Sequence, residues 1–156
     1  MYSVRGRSAA TALTADHAIC GLWNPHATQR IKVVSFAAFK QGGAGATGDA
    51  FRLRRSTARG TAGSTVTPTI ANHDKRAVAP SSGVLLDLAA YSVQPTLDGT
   101  VDLGLGWTAP GVVGAGIVIP FPGGIEIGPG AGIAVIQVAA TAWPATDVTF
   151  YWLEDW

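Results

Sequence analysis

Along this chain, apolar and polar residues alternate in short runs separated by glycine and proline, and a helical spacing is almost nowhere sustained. In "AFRLRRST", Phe51 and Leu53 alternate with Arg52 and Arg54, the period of a strand with one face buried and one wet. "DVTFYWLE" likewise sets Val148, Phe150 and Trp152 on one face and Thr149 and Tyr151 on the other. "RIKVVSFAAFK" carries Ile31, Val33 and Phe36 with a break in phase, then Phe39, which suggests a strand containing a bulge. "IAVIQV" has the continuous apolar character of a strand covered on both faces. "GVLLDLAAYSV" fits a short helix and equally a strand or irregular structure.

The breakers fall between these runs. Gly111 to Pro122 encloses "GIVIPFP", Ile125 and Ile127 straddle Glu126, and "GPGAG" turns the chain into the next strand. Gly104 and Gly106 flank Leu105 ahead of Trp107, which suits a short, twisted strand, and Pro68 and Pro80 are barred from central ladder positions. The run from Leu103 to Ile125 is uncharged and long enough to span a membrane. Pro110, Pro120, Pro122 and seven glycines interrupt it, so it reads as strands and turns. Many short strands at regular spacing predict an all-β protein, an antiparallel β-sandwich. No domain boundary appears, so residues 1–156 form a single domain, with 1–20 a candidate extended N-terminal segment.

Composition sharpens this picture. Hydrophobic residues make up 47% and charged residues 13%, about half the charged share of an average domain. Either a small domain is faced with Ser, Thr and Gly, or neighbouring subunits cover much of the outside. The net charge of +1 conceals an asymmetry: all eleven Lys and Arg lie at or before Arg76, and seven of the ten acids lie beyond it. Strands from the two halves interleave in a sandwich, so the opposite charges become neighbours; the alternative is two poles meeting across a subunit contact. The lone Cys20 forms no internal disulfide and implies no oxidising compartment. The N-terminal residues lack the apolar core of a secretory signal.

Little catalytic chemistry is legible. Gly43-Ala44-Gly45-Ala46-Thr47-Gly48 fits a dinucleotide-binding pattern, but the strand-like alternation after it and the missing downstream acid favour a hairpin loop. His17, His26 and His73 stand at no metal-ligand spacing, and the pairs Asp16-His17 and His73-Asp74 point to opposite faces of a strand. No nucleophile elbow accompanies them. No cofactor is implied. Arg52, Arg54, Arg55 and Arg59 form the strongest polar feature. They read as a solvated strand face paired with the acids of the second half, as a contact for an acidic partner protein, or as a phosphate site. The last is disfavoured by the near-zero net charge and the absence of interleaved aromatics. Of the five tryptophans, Trp23, Trp107, Trp143, Trp152 and Trp156, most belong in a core. Trp143 and Trp156, near turns or the terminus, suit a subunit contact or a sugar platform.

Four stretches, "LWNPHATQRIKVV", "LRRSTARGTAGSTVTP", "PFPGGIEIGPGAGIAV" and "DVTFYWLE", together resemble small proteins encoded by tailed bacteriophages and their prophages. The last two are also similar to the closing hairpin of a single jelly roll of the tumour-necrosis-factor type, and head decoration (cement) proteins of phages include trimers of such jelly rolls. The resemblance implies a jelly-roll β-sandwich and a non-enzymatic virion protein. It would be made in the bacterial host cytoplasm and bind the head surface as a homotrimer, with the major capsid protein as partner and neither nucleic acid nor membrane involved. It carries over no catalytic residue. On this reading Arg52, Arg54, Arg55 and Arg59 are candidates for the capsid contact, and Trp23, Pro25, Trp143, Trp152 and Trp156 for the subunit interface. The alternative is a receptor- or glycan-binding module of a phage tail or fibre.

Overall fold

The computed structural model describes residues 1–8, 11–12, 15–41, 49–66, 71–73, 80–88, 91–108, 113–138 and 142–154. The first half holds β1 (Tyr2–Ser8), β2 (Thr11–Ala12), β3 (Ala18–Asn24), β4 (Ile31–Lys40), β5 (Asp49–Ala58), β6 (Ser64–Val66) and β7 (Ala71–Asn72). The second holds β8 (Leu85–Leu88), β9 (Thr96–Leu97), β10 (Gly104–Thr108), β11 (Gly116–Ile127), β12 (Ala131–Gln137), β13 (Ala142–Trp143) and β14 (Thr146–Glu154). No helix occurs among the described residues, and within "GVLLDLAAYSV" the residues Leu85–Leu88 form the strand β8.

Two antiparallel sheets pack face to face. The first has the order β11-β4-β14-β1-β7, and the second β10-β5-β12-β3-β8-β6 with β9 also on β5; β2 and β13 pair separately. The long strands alternate between sheets in chain order: β1, β4, β11 and β14 lie in the first, and β3, β5 and β12 in the second. N- and C-terminal strands pair directly, with Tyr2 opposite Trp152 and Ser8 opposite Thr146. β4 and β5 lie in different sheets, so the 43–48 glycine stretch, itself outside the described residues, joins two unpaired strands and closes no hairpin. The strand β5 follows it, where a dinucleotide site requires a helix. The uncharged run from Leu103 to Ile125 contains β10 and most of β11, and no helix among the described residues is long and apolar enough to cross a membrane.

The alternating strands place one residue set in each direction. Val148, Phe150 and Trp152 of β14 are buried, and Phe51 and Leu53 of β5 are fully enclosed. In β4, Ser35 faces Tyr151 while Val33 faces Trp152, so Val34 is the extra residue of a bulge. That bulge turns Phe36 and Ala38 inward and leaves Phe39 outside, 39% exposed. Aromatic rings carry much of the interior: Phe36 packs on Phe150 at 4.8 Å and edge-on to Phe51 at 5.6 Å, and Phe51 meets Trp143 at 6.2 Å. Pro120 and Pro122 are admitted because β11 is an edge strand, where a missing N–H costs no ladder bond.

Candidate functional site

The outer faces of the two sheets differ. On the second sheet the 91–97 segment lies over β3 and β12, where Tyr91 and Leu97 pack on Ala18, Ala134 and Ile136. This second cover explains why β12 is buried from Gly132 to Gln137, as its continuous apolar run implied. Ala18 N–H donates to Gln94 Oε1 at 2.7 Å, and the backbones of Thr61 and Val93 bridge the far side.

The arginines of β5 belong to this covered face and its margins, and each has an internal partner. Arg52 pairs with Asp16, and Arg54 Nε donates to Asp102 Oδ1 at 2.6 Å. Arg55 Nη1 donates to the carbonyl of Glu126 on β11, tying β5 to the edge strand of the other sheet. Arg59 grips Asp87 with two bonds of 2.7 and 2.6 Å and also reaches Thr65 Oγ1 at 2.9 Å. Asp102 and Asp87 come from the second half of the chain, as do Glu126 and Asp147, which pair with Arg30 and Arg7. Interleaving of the two charge blocks, one of the two readings of the sequence, is therefore the arrangement found. The cluster is a set of structural staples with little charge left over.

Beneath Arg59, a cavity lined by Trp23, Ser56, Asp87 and Tyr91 measures about 10 Å³, room for at most one water and for no sugar or nucleotide. Burial pushes the Tyr91 hydroxyl far above its ordinary pKa, and burial with the nearby Asp87 charge does the same to Cys20. Cys20 is therefore a protonated, inert core thiol.

The tryptophans divide. Trp143 and Trp152 are 2% and 0% exposed. Trp152 stacks obliquely on Tyr2 at 5.8 Å. Both are core residues, which corrects their assignment to a subunit interface, because a ring enclosed by its own chain presents no area to another. Trp23 is half-buried and Pro25 exposed, so both remain accessible. Trp156 lies outside the described residues.

The outer face of the first sheet has no covering layer among the described residues. Phe39 and Val118 stand on it 39% and 55% exposed, and Leu153 is 41% exposed toward the other end. Beside them, Arg5, Gly6, Arg7, Asp147 and Thr149 line an open depression of about 620 Å³. Arg7 and Asp147 form a two-bond pair, with Nε–Oδ1 at 2.6 Å and Nη2–Oδ2 at 3.0 Å. His73 shares a 2.9 Å hydrogen bond with Ser3 Oγ and lies 5.7 Å from the Tyr151 ring. A nucleophile also needs an acid orienting the histidine and donors for an oxyanion. Among the described residues, no acid is hydrogen-bonded to His73. Sequence reasoning missed this face because alternation tells inward from outward but not bare from covered.

The remaining polar centre is structural. The Glu154 carboxylate, 6% exposed, accepts the N–H groups of Ser81 and Ser82 at 3.0 and 3.2 Å, the Ser82 hydroxyl, and Gln29 Nε2 at 3.3 Å. Burial alone would raise its pKa; the Ser82 hydroxyl and the two amides outweigh that and hold it below the ordinary value. The Trp152 indole N–H lies close enough to assist without making a well-formed hydrogen bond. His26 Nδ1 accepts from the amides of Thr28 and Gln29 at 3.2 and 2.8 Å, so this imidazole caps its own loop. Among the described residues, no three His, Cys, Asp or Glu side chains converge as a metal site would require.

Compared with known proteins, the chain matches no family model, no curated protein and no solved structure.

Proposed function

We propose that this protein works by docking, as a non-enzymatic virion component of a tailed phage: a decoration protein that sits on the head exterior as a homotrimer and braces the shell. The observation that carries the reading is the unequal cover of the two sheets. The chain lays its own 91–97 segment and a set of ion pairs over one outer face, and leaves Phe39 and Val118 exposed without such a layer among the described residues on the other. An exposed apolar face in a chain with so little charge is the signature of a surface meant to meet another protein.

Strand order supports the jelly-roll part of the proposal. Successive long strands alternate between sheets, and the first and last strands pair at the centre of one of them. The trimer and the phage head come from the resemblance of the sequence. The Trp23–Pro25 turn remains the candidate for packing between subunits. Three copies engaging three equivalent shell sites gain avidity from individually weak contacts, and each bridge opposes outward pressure from packaged DNA.

The test is native mass measurement, followed by sedimentation with undecorated phage heads. The reading expects a species of three times the 16.0 kDa chain mass that co-sediments with the heads. A monomer left in the supernatant overturns it, and binding to a glycan array with no binding to heads transfers it to a receptor-binding role.

A further inference from the structure

The bare face of the first sheet has a graded chemistry. Across the strands, Gly116, Phe39, Asp147 and Arg7 stand in one row, and Val118, Ala37, Thr149 and Arg5 in the next. Each row runs from an apolar end on β11 and β4 to a basic end on β1. The charge of Arg7 is matched by Asp147. Arg5 is exposed, with no acid in ion-pairing distance among the described residues, and it overlooks the 620 Å³ depression beside Thr149. A Cβ on Gly6 would point to Leu86 and Leu88 in the core, so position 6 contributes no side chain to the outer face.

We propose that this face docks an acidic segment of a partner protein. A partner carboxylate sits on the Arg5 guanidinium beside the Thr149 hydroxyl, and an apolar side chain lies on the Phe39–Val118 surface. The inference rests on the docking reading above and moves its partner contact from Arg52–Arg59 to Arg5. Charge complementarity selects the occupant. A guanidinium with no counter-ion among the described residues matches a carboxylate through two parallel bonds. A polyphosphate chain would leave the apolar half of each row without a matching surface, whereas a peptide with an apolar side chain covers both halves. Neighbouring strands are about 4.8 Å apart, so β1 and β11 are separated by about 14 Å, a distance that about four extended residues cover. The fitting segment therefore carries its acid about four residues from its apolar anchor.

The probe is a short fluorescein-labelled peptide with Glu-Glu at one end and Val-Leu about four residues away, compared with its Gln-Gln counterpart by fluorescence anisotropy. Saturable binding of the Glu peptide is expected, weakening as salt is raised. Arg5→Glu should weaken it about tenfold or more, the loss of one charge-assisted contact. Arg5→Gln, the milder variant, should weaken it in the same direction, Phe39→Ala should weaken both peptides, and Arg54→Gln on the covered sheet should change neither. No saturable binding by the wild type, equal binding of the Gln peptide, or an unaltered Arg5→Gln protein overturns the proposal. Sedimentation with heads separates the two ideas. If the wild type ignores heads but Arg5 controls peptide binding, the phage reading falls and the acid-docking face stands. If heads bind wild type and Arg5→Gln equally, the reading stands and this inference falls.

Discussion

Arg59 and Asp87 meet in a two-bond ion pair, at 2.7 and 2.6 Å, with the carboxylate side chain only 4% exposed. The pair joins the end of β5 to β8 over the cover of the second sheet, and Asp87 holds Arg59 even more firmly in its charged form. Removing one member leaves the other without its counter-charge. Arg59→Ala is expected to cost about 2–4 kcal/mol, because a desolvated carboxylate loses its partner. Replacing both residues together with apolar ones of similar size should cost less than Arg59→Ala alone. Urea unfolding of the single and double variants measures the difference.

Acid sensitivity should centre on Glu154. Its folded pKa lies below the unfolded value of about 4.3. The stability it contributes is therefore complete above that value and is lost as pH falls through the depressed folded one. Glu154→Gln should lower the urea midpoint at pH 7, by about 1–3 kcal/mol of stability, and should flatten the decline between about pH 5 and pH 3. A variant with an unchanged acid profile would remove Glu154 as its source.

Two glycines in the same turn-and-strand region should respond oppositely. A Cβ on Gly132 would lie 2.5 Å from the Leu22 carbonyl oxygen, a backbone atom fixed in the β3 ladder, and 2.9 Å from Ser56 Oγ and Trp23 Cε3. Gly132→Ala should cost about 1–3 kcal/mol. A Cβ on Gly128 meets nothing within 4 Å, and Gly128 is not among the glycines with positive φ. Gly128→Ala should be neutral or stabilising by up to about 1 kcal/mol, through a less flexible unfolded chain. Thermal melts of the two variants decide this.

Core and surface tryptophans should likewise separate. Trp152→Ala empties a fully enclosed site against Tyr2 and should cost about 3–5 kcal/mol in any assembly state. Substituting Asp for the exposed Pro25 should leave the melting temperature nearly unchanged. Under the trimer reading it should also shift the native mass toward monomer, and a retained trimer would take the Trp23–Pro25 turn out of the interface.

How much of this was legible beforehand follows from what periodicity encodes. A two-residue alternation specifies which side of a strand is apolar, so Phe51, Leu53, Val148, Phe150 and Trp152 could be assigned to a buried face from the sequence alone. The same logic, with glycine and proline at the corners, determined the all-β class and the bulge before Phe36. Which strands become neighbours is a matter of long-range pairing, and no local pattern carries it. Only the tertiary structure brought Asp102, Asp87 and the Glu126 carbonyl to the arginines of β5, and so spent a cluster that looked like a binding surface. It also enclosed Trp143, which neighbouring turn residues had placed at an edge. The decisive case is Arg5. In the sequence it is one of eleven dispersed basic residues, and it stands out only because folding gave its neighbour Arg7 an acidic partner and no described residue covers its own sheet face. Local sequence decides the direction a side chain takes from its strand, and the packing of distant segments decides what it meets there.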